Sequence, residues 1–354
     1  MSNKDLERVL SRHRALWRME LDTPIVHVTR HKPLAALEIV LADGTPMKED
    51  MYLTPYILDP RRMIDLEEDP TRPRPKPDLP GGIAGAGDVF VTRRPITRMC
   101  WVEAVMGCPV HARTASGSIY SEPYLKSLDE LDRIPPLEGN RWLEFLREYD
   151  RVLVENAHGK YHVSQCLMRS TVDQMAALVG YEVMCSAFYD NPKAVHRMNE
   201  LSVKYFLKVA ETQYSVIPPL EGGYVSYFTL WAPGTVIRTQ CDASAAMSAK
   251  TYEEFFFPYE EEIYRQYDYS IVHLHSGYLH TVPTFLKTKY PSAIQVSLDT
   301  GSTPETPHTL LPIFKRILEK KPLIINGPIT QAELDELLRE LPAHGLFIEV
   351  DVTD

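Results

Sequence analysis

The segment YSIVHLHSGYLHTVPTFLKTKYPSAIQVSL, residues 269–298, predicts a strand, a short helix and a second strand. Strand-like and helix-like segments alternate in this way from about residue 105 to the last residue. Such alternation is typical of βαβ units and a parallel sheet. The units are numerous enough to close a (β/α)8 barrel, and no Gly-x-Gly-x-x-Gly follows the first strand. We therefore predict an α/β fold, a TIM barrel, rather than a dinucleotide-binding fold.

Two further segments complete the predicted domain organisation. Residues 3–21 carry apolar side chains at helical spacing and predict an N-terminal helical extension. Residues 69–88 are dense in Pro and Gly and predict a long surface loop, and loops of this length often cover a site. We expect both to belong to a single TIM-barrel domain over residues 1–354.

Composition excludes several classes of function. The formal net charge is −10 and no long basic run is present, which argues against nucleic acid and membrane surfaces as partners. The first residues lack the apolar core of a signal peptide, and no apolar run is long enough to span a membrane. Five cysteines without Cys-x-x-Cys spacing argue against a disulfide scaffold and a Cys-only zinc site. We expect a cytoplasmic protein.

The candidate reactive residues lie at predicted strand ends, where barrel active sites form. His273 and His275 share one strand face and can converge on a divalent metal such as zinc. Gln240 and Asp242 end the preceding strand, where a carboxylate can act as general acid or base or orient a histidine. Glu349 becomes a candidate third metal ligand if the last strand lies beside the first. The alternatives are hydrogen-bonded histidines without a metal, a turn cap at Asp242 and a solvated chain end at Glu349.

Further residues are candidates for substrate binding, because aromatic and acidic side chains can line a pocket for a flat or methylated substrate, and His111 and Arg113 can contact an anion. Each has an ordinary core or surface role as its alternative. These residues are Glu221, Tyr227, Trp231, Glu122, His111 and Arg113.

The sequence resembles the uroporphyrinogen decarboxylase superfamily. The similarity is strongest over TQCDASAAMSAKTYEEFFFPYEEEIYRQYDYSIVHLHSG, residues 239–277. That segment has the family pattern of Gln-x-Asp, a Ser-capped helix, a Pro-containing aromatic stretch, and a strand ending in His and Gly. TVDQMAALVGYEVMCSAFYDNPKAVHRMNE, residues 171–200, is also similar, and so are GAGDVF, EAVMGC and SEPYLKSLDEL. The resemblance covers most of the chain and implies a TIM barrel that often forms a homodimer.

The superfamily contains porphyrinogen decarboxylases without a cofactor and cobalamin-dependent methyltransferases. The decarboxylase motif RQAGRY is absent, and VTRHKP offers only Arg30 and Lys32, which favours the methyltransferase-like branch. The resemblance then implies methyl transfer between a small O-, N- or S-methyl compound and a corrinoid protein. Since no cobalamin-binding domain is visible in this chain, we expect that partner to supply the cobalamin.

Zinc is implied less directly. Zinc-dependent members of that branch use a His-x-Cys pair and a later Cys, whereas this chain has His273-Leu274-His275 and Glu349. Two other functions stay open. One is a cofactor-independent decarboxylase or lyase that holds a small carboxylic acid with Arg30 or Arg113, and the other is a non-catalytic corrinoid-binding barrel.

Overall fold

The computed structural model describes residues 3–30, 39–68, 87–299 and 305–353. Its α-helices are α1 Asn3–Trp17, α2 Pro60–Glu68, α3 Trp101–Val105, α4 Arg141–Ala157, α5 Thr171–Asp190, α6 Pro192–Tyr214, α7 Ala249–Phe255, α8 Phe257–Tyr264, α9 Val282–Phe285, α10 Pro307–Leu318 and α11 Gln331–Glu340. Its strands are β1 Ile25–Arg30, β2 Met51–Leu53, β3 Thr92–Arg93, β4 Val110–Arg113, β5 Ser118–Ser121, β6 His162–Val163, β7 Tyr224–Val225, β8 Trp231–Ala232, β9 Val236–Gln240, β10 Tyr269–His275, β11 Ala293–Ser297, β12 Leu323–Thr330 and β13 Leu346–Thr353. None of the described helices is both long and apolar enough to cross a membrane.

The chain divides into two compact units. The first comprises Met1–Lys32, Pro77–Val91 and Pro219–Asp354, and the second comprises Pro33–Lys76 and Thr92–Pro218. Helix α1 covers most of the predicted N-terminal helix, whereas residues 69–86 of the predicted loop lie outside the described residues. A single closed barrel domain stays a prediction.

The first unit is built on a six-stranded sheet in the order β1-β13-β12-β11-β10-β9, with every neighbouring pair parallel. Helices α7 and α8, α9, α10 and α11 connect its strands from β9 to β13. The predicted α/β fold with a parallel sheet is therefore confirmed. The last strand does lie beside the first, as the prediction for Glu349 required.

One face of this sheet changes from apolar to polar along the strands. Five neighbouring strands contribute buried apolar side chains to one cluster, namely Ile25, Phe347, Ile324, Ala293 and Ile271. Side chains alternate along a strand, so the residues two or four positions after each of these apolar residues lie on the same face of the sheet. These residues stand in register across the five strands and form what we call the polar row: His275, Ser297, Asn326, Glu349 and His27.

A tight hairpin packs against the same apolar cluster. Strands β7 and β8 are antiparallel, and Phe228 and Leu230 from the turn between them are buried in the cluster. The turn places Thr229 at φ 60°, in the left-handed region that β-branched residues rarely adopt. The hairpin thus brings polar and aromatic side chains onto the face that carries the polar row.

The second unit combines helices α2 to α6 with two small sheets. Strands β2, β4 and β5 form an antiparallel sheet, and β3 pairs with β6 in parallel. The alternation predicted from residue 105 onward is therefore wrong for residues 110–121. Four residues connect β4 to β5, which suffices for a hairpin but not for a helical crossover, and Gly117 supplies the positive φ of 63°.

Candidate functional site

Three predicted residues meet at the carboxyl ends of β9 and β10. Asp242 begins a 3-10 turn one residue after the end of β9, and His273 and His275 are the last two residues on one face of β10. Their ligand-type atoms all lie within 4.8 Å of one another. The Nε2 atoms of the two histidines are 3.2 Å apart, and His275 Nε2 is 3.7 Å from Asp242 Oδ1.

The other nitrogen of each imidazole is held by an oxygen from β11 or its end. His273 Nδ1 hydrogen-bonds to Gln295 Oε1, and His275 Nδ1 lies 2.5 Å from Asp299 Oδ1. An amide oxygen and a carboxylate only accept hydrogen bonds, so each Nδ1 carries the proton. With both imidazoles neutral, the Nε2 lone pairs are directed at each other, whereas a proton on His275 Nε2 would be donated to His273 Nε2.

Neighbouring side chains fix these two oxygen partners in place. Gln295 donates from Nε2 to Asn326 Oδ1 at 2.9 Å, which orients its amide. Asp299 Oδ2 accepts from Ser276 Oγ and from the backbone N–H of Gly277, both at 3.3 Å. The imidazole orientations are therefore preset by the fold. Such outer partners are typical of histidines that bind metals.

Asp242 is positioned by two donors. Gln240 donates from Nε2 to Asp242 Oδ2, and the Tyr278 hydroxyl donates to Oδ1 at 2.9 Å. The predicted residue Gln240 therefore orients the carboxylate and directs the other oxygen, Oδ1, towards the histidines. Asp242 is about one-third exposed, so a small ligand can reach it.

The environment of His273 favours its neutral form. Burial lowers the pKa of His273 well below its ordinary value, and the charges of Arg238 and His275 add to this effect. Arg238 is buried and stacks on the rings of Tyr227 and Phe228, while Phe228 is nearly parallel to His273 at 6.2 Å. A neutral imidazole with a free Nε2 lone pair is the form that binds a metal.

Glu349 does not belong to the group of three. It lies in the polar row on β13, where its Oε1 accepts from Thr229 Oγ1 at 3.1 Å and is 3.5 Å from His27 Nδ1. The register places β13 three strands away from β10. Asp242 is thus the carboxylate that the fold brings to the histidines.

The remaining candidates of the first unit have different environments. Tyr227 is half-buried beside Arg238, close to the candidate site through Phe228. Trp231 is buried against α1 and hydrogen-bonds through its indole to Leu220, which indicates a packing role. Glu221 is exposed at the tip of a two-residue turn, where it has φ 46°.

The three other candidates belong to the second unit. Glu122 accepts a hydrogen bond from the Tyr52 hydroxyl at 2.8 Å and lies 3.5 Å from His111 Nδ1. Arg113 lies over the ring of Tyr120, 4.8 Å from its centroid. These residues form a polar and aromatic cluster on the antiparallel sheet. Lys32 and the side chain of Arg30 lie outside the described residues.

Three site residues escaped the sequence reasoning, namely Gln295, Asp299 and Tyr278. Asp299 follows the end of β11, so the rule that barrel chemistry lies at strand ends could have identified it. The inward face of β11 could likewise have indicated Gln295. Nothing in the sequence around Tyr278 distinguishes it from a packed aromatic residue.

Comparison with known proteins supports the fold. No family model matches the chain, and no curated protein matches it. Among solved structures, the chain is similar to a methyltransferase from Methanosarcina mazei, with a TM-score of 0.59 and 13% sequence identity. The similarity covers 96% of this chain and 91% of that one. At this identity the similarity is one of fold.

Proposed function

We propose that the protein is a methyltransferase that moves a methyl group between a small O-, N- or S-methyl compound and a corrinoid protein. We further propose that the six-stranded sheet belongs to a closed TIM barrel and that Asp242, His273 and His275 hold a divalent metal, zinc foremost. The fold similarity to a methyltransferase supports the class of reaction. The metal is supported by the geometry of the site.

The observation that carries this proposal is the approach of the two Nε2 atoms to 3.2 Å while both Nδ1 atoms have acceptor partners. Two facing lone pairs repel each other unless a proton or a metal cation lies between them, and we propose the metal. Zinc binds histidine nitrogen at about 2.0–2.1 Å, so two ligands of one tetrahedral ion stand about 3.3 Å apart. The separations of 3.2 Å and 3.7 Å are close to this value, and the whole group lies within 4.8 Å, so a shared ion would need only a small approach of the Asp242 carboxylate.

The set of three protein ligands fits a reactive rather than a purely structural site. Structural zinc has four protein ligands, whereas catalytic zinc keeps a position for water or substrate. A bound metal would act as a Lewis acid towards the heteroatom that loses its methyl group. In this transfer the bond between the methyl carbon and the heteroatom would break with its electron pair staying on the heteroatom, and an electron pair of the methyl acceptor would form the new bond to the methyl carbon.

The chain's own residues would prepare the site for that step. Gln295 and Asp299 hold the imidazoles in the tautomer that directs Nε2 inwards. Tyr278 donates to Asp242 and lies beside His275, with the two ring centroids 5.6 Å apart. Substrate binding next to His273 would involve Tyr227 and Phe228, whose rings present an apolar surface to a methyl group.

The methyl group needs a second substrate, and we propose a separate corrinoid protein that supplies the cobalamin. A homodimer is proposed from the family resemblance alone. All five cysteines are free thiols, which supports a reducing compartment, and we propose the cytoplasm.

Metal analysis of the purified protein tests the site. We expect close to one equivalent of zinc after loading, and a large loss of binding in His273→Ala, His275→Ala and Asp242→Asn. His280→Ala is the matched control, because His280 is exposed and five residues from His275. Equal loss in the control, or full binding in the three site variants, would overturn the metal proposal.

A second measurement tests the reaction. Free cob(I)alamin is mixed with the zinc-loaded protein and small methyl ethers, methylamines or methyl thioethers, and methylcobalamin is followed by its absorbance. We expect formation that depends on His273 and His275. Release of CO2 from small carboxylic acids without methyl transfer would instead favour the decarboxylase alternative, and neither activity would favour the non-catalytic barrel.

A further inference from the structure

The polar row continues well beyond the proposed metal ligands. From His275 it passes through Ser297 and Asn326 to Glu349 and His27, one residue on each of five neighbouring strands. Neighbouring strands are about 4.8 Å apart, so the carboxylate of the row stands roughly 14 Å along the sheet from His275. The row therefore has two chemically distinct ends on one face.

The far end is an acid–imidazole pair that remains accessible. The side chains of Glu349 and His27 are 21% and 25% exposed, and Glu349 Oε1 lies 3.5 Å from His27 Nδ1. His27 Nδ1 is itself buried and has no hydrogen-bond partner among the described residues, so the exposed part of the imidazole is elsewhere on the ring. Among the described residues, the side chain of Glu349 accepts its hydrogen bond at Oε1, which leaves Oε2 as an acceptor for a ligand.

The hairpin turn is strained where it touches this carboxylate. Thr229 has φ 60°, and its hydroxyl lies 2.6 Å from the Phe228 carbonyl and 3.1 Å from Glu349 Oε1, so these two oxygens share its one hydrogen. A β-branched residue in the left-handed region costs of order 1–3 kcal/mol, and such strain is concentrated at binding and catalytic sites. The turn thus places a hydroxyl beside Glu349 Oε1.

We propose that Glu349, His27 and Thr229 form a second subsite, which binds an amine of the substrate in its ammonium form. The proposal rests on the proposed function for one end of the substrate. The methylated heteroatom of the substrate would lie at Asp242, His273 and His275, and its amine would lie at Glu349. A carboxylate oxygen accepts the ammonium hydrogen bond, and charge-assisted bonds of this kind are stronger than neutral ones. The substrate class is then a linear methylated compound with an amine at its other end.

Equilibrium binding of small probes tests the subsite without any methyl transfer. The probes are methoxyalkylamines of increasing chain length and the methoxyalkanes of matched length, titrated into the full-length protein by calorimetry. We expect wild-type protein to prefer the amine at one chain length, and Glu349→Gln to weaken amine binding about tenfold or more. Binding of the neutral ether should not change.

Asp351→Asn is the matched control, because Asp351 is the next acid on the same face of β13. It should keep the amine preference. Equal weakening in both variants would show a diffuse charge effect and overturn the subsite, and so would a wild-type protein that does not distinguish amine from ether. Thermal unfolding shows whether Glu349→Gln is misfolded. If it is, two variants of Thr229 replace it: Thr229→Ser, which keeps the hydroxyl, must preserve the preference for amine over ether, and Thr229→Val must weaken that preference.

Simple alkylamines titrated into chelator-treated protein separate this inference from the proposed function. Binding that depends on Glu349 in the absence of metal supports the subsite even if no methyl transfer is found. Loss of that dependence while zinc binding persists refutes the subsite alone.

Discussion

We predict that the protein loses stability in mild acid because of one buried histidine, His13. Its ring is fully buried, Nδ1 accepts from the backbone N–H of Trp231 at 2.8 Å, and Nε2 donates to the carbonyl of Asp88 at 2.5 Å. Burial lowers the pKa of His13 from 6.5 to about 4. The folded chain therefore binds this proton less readily than the unfolded chain does.

The magnitude follows from proton linkage. One pKa unit corresponds to 1.36 kcal/mol, so the whole difference amounts to about 3 kcal/mol. Because the folded pKa is the lower one, this stability is fully present above about pH 6.5 and is lost as the pH falls towards about 4. Between about pH 7.5 and about pH 5 we expect a loss of about 2 kcal/mol from His13.

Chemical denaturation at the two pH values measures this loss, and His13→Gln isolates it. A glutamine can accept from the Trp231 N–H and donate to the Asp88 carbonyl, but it does not titrate. The wild-type protein should lose about 2 kcal/mol more than His13→Gln between the two pH values. His280→Gln, an exposed substitution, should behave like the wild type. Parallel pH profiles for wild type and His13→Gln would refute the assignment.

Three further predictions concern other parts of the chain. Asp299→Ala removes the carboxylate that holds His275, so zinc affinity measured against a competing chelator should fall about 10–100-fold; unchanged affinity would contradict the role of Asp299. Both oxygens of Asp150 are buried without a hydrogen-bond partner among the described residues, and burial raises the pKa of Asp150 well above its usual value. Asp150→Asn should therefore stabilise the protein by about 1–3 kcal/mol in denaturant melts. The gain should grow as the pH rises above about 4, because the unfolded aspartate then ionises while the folded one keeps its proton, and asparagine does not titrate. A Cβ at Gly223 would lie 1.9 Å from a backbone oxygen of β8. Gly223→Ala should therefore lower the free energy of unfolding by about 3 kcal/mol. Gly222→Asn is the control and should leave the free energy of unfolding nearly unchanged, because Gly222 has open space around it and a φ of 78° that asparagine tolerates.

The sequence was sufficient to predict the parallel sheet because its signals are local. Alternating side chains placed His273 and His275 on one face. The Ser-capped helix of the segment 239–277 is confirmed as well, because Ser248 accepts a hydrogen bond from the backbone N–H of Thr251. The hairpin of β4 and β5 was mistaken for part of the βαβ alternation. Strand propensity does not distinguish a parallel neighbour from an antiparallel one when the connection is short.

The third side chain of the candidate metal site could not be predicted with the same certainty. Asp242 and Glu349 both lie at or just after the end of an apolar strand. The sequence alone does not indicate which of the two carboxylates lies closer to His275. The register decides the matter: β9 is the direct neighbour of β10, whereas β13 is three strands away. Pairing between strands that are distant in sequence is a property of the folded sheet.

The strained turn at Thr229 links the two ends of the polar row. Phe228 lies nearly parallel to His273, and the next residue, Thr229, hydrogen-bonds to Glu349. The same hairpin is anchored by His13, whose Nδ1 accepts from the N–H of Trp231 two residues later. Because the pKa of His13 in the folded chain is about 4, about a tenth of the folded protein carries this proton at about pH 5. The loss of stability at that pH therefore comes from the unfolded chain, and the folded wild type should bind zinc and the amine as tightly as His13→Gln does. A wild type that binds either ligand several-fold more weakly than His13→Gln at about pH 5 would show that protonation of His13 already loosens the turn in the folded protein.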